Sequence, residues 1–107
     1  MHDDEINIVG KFIPVVNEKP ICVQIDDCDD FFVPLFTQEE NCKNVTLKIL
    51  KKLKIEEGFV IGKLKTEDVV VNMMDSGIRV MLDPILENEN CTKWIEIIKT
   101  DGHFKGK

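Results

Sequence analysis

Phe31-Phe32-Val33-Pro34-Leu35-Phe36-Thr37-Gln38-Glu39-Glu40 packs an apolar strand, a corner and a helix start into ten residues. The unbroken apolar run from Phe31 to Phe36 predicts a strand covered on both faces, as in the middle of a sheet. Pro34 works against that placement, because proline cannot donate to a ladder. Thr37 and Glu40 have the spacing of a capping box, in which hydroxyl and carboxylate each satisfy a backbone N–H of the first turn. Acids in that turn also suit the helix dipole. The stretch predicts a strand that hands directly to a helix at Thr37.

Downstream, Val45, Ile49, Leu50 and Leu53 follow helical spacing, with Lys48, Lys51, Lys52 and Lys54 mainly on the other side. One helix from about Gln38 to Leu53 is the preferred reading. Val45, Leu47, Ile49, Leu53 and Ile55 also fit an alternating pattern, so a stop near Asn44 is the alternative.

Upstream, Asp26-Asp27-Cys28-Asp29-Asp30 sets four aspartates in five positions, a composition that favours a turn. Calcium would use such carboxylates, but the glycine and distal glutamate of an EF-hand loop are not in place. Before it, Ile21, Val23 and Ile25 alternate with Cys22, Gln24 and Asp26, the pattern of a half-buried strand. Lys11 to Val16 reads as another strand, which Pro14 places at an edge or turns with the proline on an unpaired side. Asn17-Glu18-Lys19-Pro20 suits the hairpin turn between these two. Three early strands then form a meander.

The C-terminal half gives a short strand at Phe59–Leu64 and a helix begun by Thr66-Glu67-Asp68 and ended by Gly77. A strand follows at Ile78–Asp83, broken by Asp83-Pro84. Asn90 then caps a helix whose Cys91, Trp94, Ile95 and Ile98 fall at i, i+3, i+4 and i+7, with Gly102 as its stop and a loose tail. The expected fold is α+β: an antiparallel or mixed sheet of about five strands, with about three helices packed on it. A chain of 107 residues gives one domain, with an ordered core from about 10 to 102.

Four landmarks in this order carry a family resemblance. Phe32 to Thr37 followed by Glu39-Glu40 resembles the "hPhFT-x-E" signature of the SseB N-terminal-domain family, and Lys11-Phe12-Ile13-Pro14-Val15 resembles its earlier "hhVP" strand. Lys63 to Val69 sits where a capped helix precedes the family's last strand. Gly77 to Pro84 is similar to its "G-hxhhNP", with Asp83 in place of the usual Asn. The resemblance implies a small bacterial cytoplasmic α+β domain of the SseB-like, type III secretion-related kind. It carries no catalytic mechanism.

The residues themselves offer few tools for enzyme chemistry. The two histidines, His2 and His103, lie near the ends of the chain, and Ser76 is the sole serine, without a nucleophile elbow around it. Gly58 to Lys63 has three residues, not four, between its glycines, and Leu64 follows the lysine, so it is not a phosphate-binding P-loop. The cysteines, Cys22, Cys28, Cys42 and Cys91, are spaced C-x5-C-x13-C-x48-C, without the close pairs that hold zinc, and read as reduced thiols near the core. No catalytic residue, metal or cofactor is expected.

Charge says more. The net charge of −6 disfavours a general nucleic-acid binder, including one that uses Lys48, Lys51, Lys52 and Lys54. No apolar run reaches the roughly 20 residues a bilayer requires. The acidic start, Met1-His2-Asp3-Asp4-Glu5, is unlike a secretory signal, so a cytoplasmic location is expected. Residues 1–40 hold ten acids against Lys11 and Lys19, whereas 43–65 hold seven lysines against Glu56 and Glu57. Such a dipole can steer a protein partner. The candidate interaction residues are Asp26, Asp27, Asp29 and Asp30 on one side and Lys48, Lys51, Lys52 and Arg79 on the other. Arg79 is the sole arginine, a residue type enriched at hot spots. The leading expectation is a non-enzymatic protein-binding or regulatory module. The alternative is a small-molecule or metal-binding domain that uses the loop 26–30 or a pocket beside Cys22 and Arg79.

Overall fold

The strands form two sheets, where the sequence suggests one. The computed structural model describes residues 5–24, 30–87 and 90–106. In chain order the elements are β1 (Phe12–Val16), β2 (Lys19–Pro20), β3 (Val23–Gln24), β4 (Phe31–Leu35), α1 (Glu39–Leu53), β5 (Val60–Lys63), α2 (Asp68–Asp75), β6 (Arg79–Glu87), β7 (Asn90–Thr100) and β8 (His103–Gly106). A mixed five-stranded sheet has the order β3-β4-β6-β7-β8, and an antiparallel three-stranded sheet has the order β2-β1-β5. The class is α+β.

Strand β4 lies inside the larger sheet, antiparallel to β3 and parallel to β6, and is buried from Phe32 to Leu35. Pro34 is tolerated there for a geometric reason. Phe36 turns its N–H away from β6 and donates it to the Phe12 carbonyl (2.9 Å). Pro34, two residues earlier, points its nitrogen the same way. On that side β3 has run out, since it pairs only with Phe31 and Phe32. The missing donor therefore leaves the β4–β6 ladder intact.

The early meander is divided. β1 turns into β2 through Asn17 and Glu18, both at positive φ (51° and 66°), as in a type I′ hairpin. The chain then leaves that sheet, and β3 joins the other one. Phe12 and Phe36 form the bridge between β1 and the end of β4. A second correction concerns helix number. Among the described residues two helices form, not about three, because the segment expected to be a helix from Asn90 is strand β7. Its five β-branched residues at 92, 95, 97, 98 and 100 favour a strand. Asp101-Gly102, at φ 50° and 79°, makes a tight hairpin that returns the tail as β8. Asp83-Pro84 likewise bulges β6 instead of ending it, with Asp83 at φ 49° and register shifts between Leu82 and Leu86.

Helix α1 is continuous to Leu53, as preferred. It closes with Lys54 in the left-handed region (φ 59°), where the Ile55 N–H reaches the Leu50 carbonyl (3.0 Å) in a Schellman arrangement. Helix α2 ends in the same way, with Gly77 at φ 84° and the Ile78 N–H on the Met73 carbonyl (3.0 Å).

Two apolar clusters result. Val33, Leu35, Val80, Leu82 and Ile97 on one sheet face pack with Val70 and Met73 of α2 and with Ile8, Ile13, Leu64 and Phe104. Ile49 and Leu50 of α1 pack with Ile21 and Leu86, flanked by Val45 and Phe59. Among the described residues no helix is long and apolar enough to cross a membrane.

Candidate functional site

The opposite face of the five-stranded sheet carries Arg79, and alternation decides what surrounds it. Val80 and Leu82 enter the core, so Arg79 and Met81 turn the other way, beside Phe32 and Pro34 of β4. Glu96 on β7 lies opposite Met81 and thus diagonal to Arg79. The Arg79 Nε donates to Glu96 Oε2 (2.9 Å), and Nη2 donates to Oε1 of the same carboxylate. Nη1 donates to Asp30 Oδ2 (3.1 Å). The guanidinium lies 4.6 Å from the centre of the Phe32 ring, and the Trp94 indole meets the same ring edge-on at 6.2 Å. Hydrogen bonding to Glu96 first, with Asp30 adding to it, holds the guanidinium even more firmly protonated than usual against the opposing effect of burial.

This arrangement commits Arg79 to the protein. Its fork, the feature that would clasp a ligand carboxylate or phosphate, is bidentate on Glu96. Arg79 and Asp30 are the two expected residues that the fold brings together. Asp26, Asp27 and Asp29 of the acidic loop lie outside the described residues. Glu96, Phe32 and Trp94 were missed as neighbours of Arg79. The alternation of Trp94, Glu96 and Ile98 against Ile95 and Ile97 was the available signal, and the helical spacing hid it.

The lysines form a separate surface. Lys43, Lys48, Lys51 and Lys54 are exposed along α1, and Lys52 is half-buried. Leu47 stands among them 51% exposed, with Leu53 at 41%. Among the described residues none of these lysines has an ion-pair partner. Lys48 also borders a cleft of about 370 Å³ between α1 and the β6 bulge, with Phe36, Asn41, Val45 and Ile85 in its lining. Asp83 also lines the cleft. Its two carboxylate oxygens accept from the Thr37 N–H and hydroxyl, both at 2.8 Å. The expected capping box is therefore absent: Thr37 bonds to Asp83 of β6, and Gln38 takes the N-cap position without a side-chain bond to the backbone of the first turn.

The nucleophile candidates are quiet. Cys42 is fully buried, and burial pushes its thiol up to about 11, only partly offset by the Thr46 hydroxyl one turn on. Thr46 is itself fully buried. Partial desolvation also raises the Cys22 thiol, although Cys22 is exposed and not near the core as expected. Ser76 donates its hydroxyl to the Asn72 carbonyl (3.0 Å) at the end of α2. His103 pairs with Glu5 (2.7 Å) on the outer side of β8. No group of three His, Cys, Asp or Glu side chains among the described residues is placed to hold a metal ion.

Set against models of known families, curated proteins and solved structures, the chain matches none of them. Two of the four segments on which the SseB resemblance rests, 32–40 and 77–84, contain the paired residues of the parallel neighbours β4 and β6 and are joined by the bonds from Thr37 to Asp83.

Proposed function

We propose that this chain is a non-catalytic protein-binding or regulatory module, resembling SseB-like proteins, and that α1 is its docking surface. The observation that carries the reading is the row of exposed lysines without carboxylate partners among the described residues, with Leu47 exposed among them. Lysine side chains kept in water steer encounter, and an exposed leucine at their centre supplies apolar area that a partner can cover. The complementary partner is an acidic protein surface with an apolar notch. Arg79, a hot-spot candidate by composition, stands outside this surface because its donors are engaged by Glu96 and Asp30.

The test is affinity capture from lysate of the source cells with the wild-type chain and with the variant Lys48→Glu/Lys51→Glu. A protein held by the wild type and released both by the double reversal and by about 0.5 M salt, where screening shortens to a few ångströms, is the expected result. Capture that is indifferent to both changes, or no specific capture, overturns the reading.

A further inference from the structure

The open edge of β5 is a self-complementary surface, and we infer that it pairs with the β5 edge of a second copy of this chain. Among the described residues every other sheet edge is short or covered. β2 has two residues, one of them Pro20, and β3 has two. The outer side of β8 is met by the N-terminal segment, through a Glu5–Lys105 bridge and the Ile6 N–H on the Phe104 carbonyl (2.7 Å). β5 has four residues, no proline and one partner, β1. Unpaired edges of this kind template further strands.

The backbone phase fixes which groups are offered. Leu64 faces β1, since its N–H donates to the Lys11 carbonyl (2.9 Å) and its carbonyl accepts from Gly10 (2.8 Å). By alternation Val60 and Gly62 also face β1, while Phe59, Ile61 and Lys63 turn N–H and C=O to the open side. Phe12, opposite Lys63, agrees: it exchanges its bonds with Phe36 on the far side of β1. Among the described residues nothing bonds to the open side of β5.

A two-fold antiparallel pairing must set outward residues against outward residues, and the centred register sets Ile61 opposite Ile61 of the second copy. Phe59 then faces Lys63 across the junction, and Glu57 faces Lys65 twice over by symmetry. Val60, the most exposed large apolar residue at 65%, lies opposite Gly62, which has no side chain to obstruct it. The sequence Glu56-Glu57-Gly58-Phe59-Val60-Ile61-Gly62-Lys63-Leu64-Lys65 is acidic before the strand and basic after it. Antiparallel self-pairing brings those opposite charges together, whereas a parallel pairing would set like charges side by side. Lys63 would ordinarily guard an edge. In this register it instead lies beside an acidic segment. The occupant is a second copy of this chain, and the product is a six-stranded sheet, β2-β1-β5 continued by its symmetry mate.

Sedimentation equilibrium of the full chain from about 10 μM to 1 mM, a range that reads weak dimers, is the measurement. A monomer–dimer equilibrium is expected. Ile61→Pro removes an N–H that bonds to nothing within one copy, so it should abolish the dimer while leaving the circular dichroism spectrum and melting curve in place. Lys63→Glu/Lys65→Glu and Glu56→Lys/Glu57→Lys should each raise the dimer Kd by about tenfold. Mixed one to one, the two should form a heterodimer at least as tight as the wild type. These charge variants decide the matter even if Ile61→Pro does not fold. A wild type that stays monomeric throughout, a dimer indifferent to the reversals, or no heterodimer on mixing overturns the inference. The α1 double reversal should leave this equilibrium unchanged, which separates it from the docking surface proposed for α1.

Discussion

Arg79 and the lysines of α1 are both cationic features on a net acidic chain, yet the fold treats them in opposite ways. Arg79 sits between strands, bidentate on Glu96, bonded to Asp30 and stacked on Phe32. The α1 lysines stand in water without carboxylate partners among the described residues. Side-chain chemistry explains part of the contrast. A planar, weakly hydrated fork can be half-buried against a ring and a carboxylate, whereas an ammonium on a flexible stem favours full hydration. Neighbouring elements explain the rest. A residue on β6 acquires partners from β4 and β7 on either side, but the outer face of α1 has no strand beside it. Charge pattern alone therefore separates structure from interface poorly, and the number of flanking elements separates them well.

The sharpest way to break the Arg79 side of this contrast is through Phe32, which is 1% exposed and carries the guanidinium on its face and Trp94 at its edge. Phe32→Ala should lower stability by about 3–5 kcal/mol, read as a shift in denaturant midpoint with Trp94 fluorescence as the probe. Against the about 5–15 kcal/mol that holds such a domain folded, that loss is a large fraction of the total. Glu96→Ala should cost less, about 1–3 kcal/mol, because Arg79 keeps Asp30 and some access to water. Its melting temperature should approach that of the wild type as salt rises, since screening weakens what the wild type has and the variant lacks. A gap that does not narrow with salt would mean Glu96 acts by packing and not by charge.

Local signals reached as far as local physics did. Helix α1 was legible because its apolar spacing and acidic first turn agree, and α2 because Gly77 supplies the φ its end requires. Thr37 was legible as a corner but not as a bond donor to Asp83, a partner forty-six residues away that only the β4–β6 pairing brings near. The segment from Asn90 was misread for a physical reason. Cys91, Trp94, Ile95 and Ile98 satisfy a helical stripe by coincidence, while the β-branched content and the Asp101-Gly102 turn favour a hairpin. That error also concealed the candidate site, since Glu96 and Trp94 are neighbours of Arg79 only if β7 is a strand. The lysine face was visible from the start because it requires no tertiary partner.

The lysine side of the contrast is tested by smaller effects. Lys54 differs from the others in holding a left-handed backbone, φ 59°, where a Cβ is unfavourable. Lys54→Gly should therefore stabilise the protein by about 0.5–1 kcal/mol in thermal or chemical unfolding, provided the Schellman bonds from Lys54 and Ile55 to α1 persist. Lys51 has no such role. It is exposed within the helix and bonded to nothing charged, so Lys51→Ala should change stability by less than about 0.5 kcal/mol in the same assay. A loss beyond that would show that Lys51 holds the fold as Arg79 does, and the contrast between the two cationic regions would fail at the residue where it should be clearest.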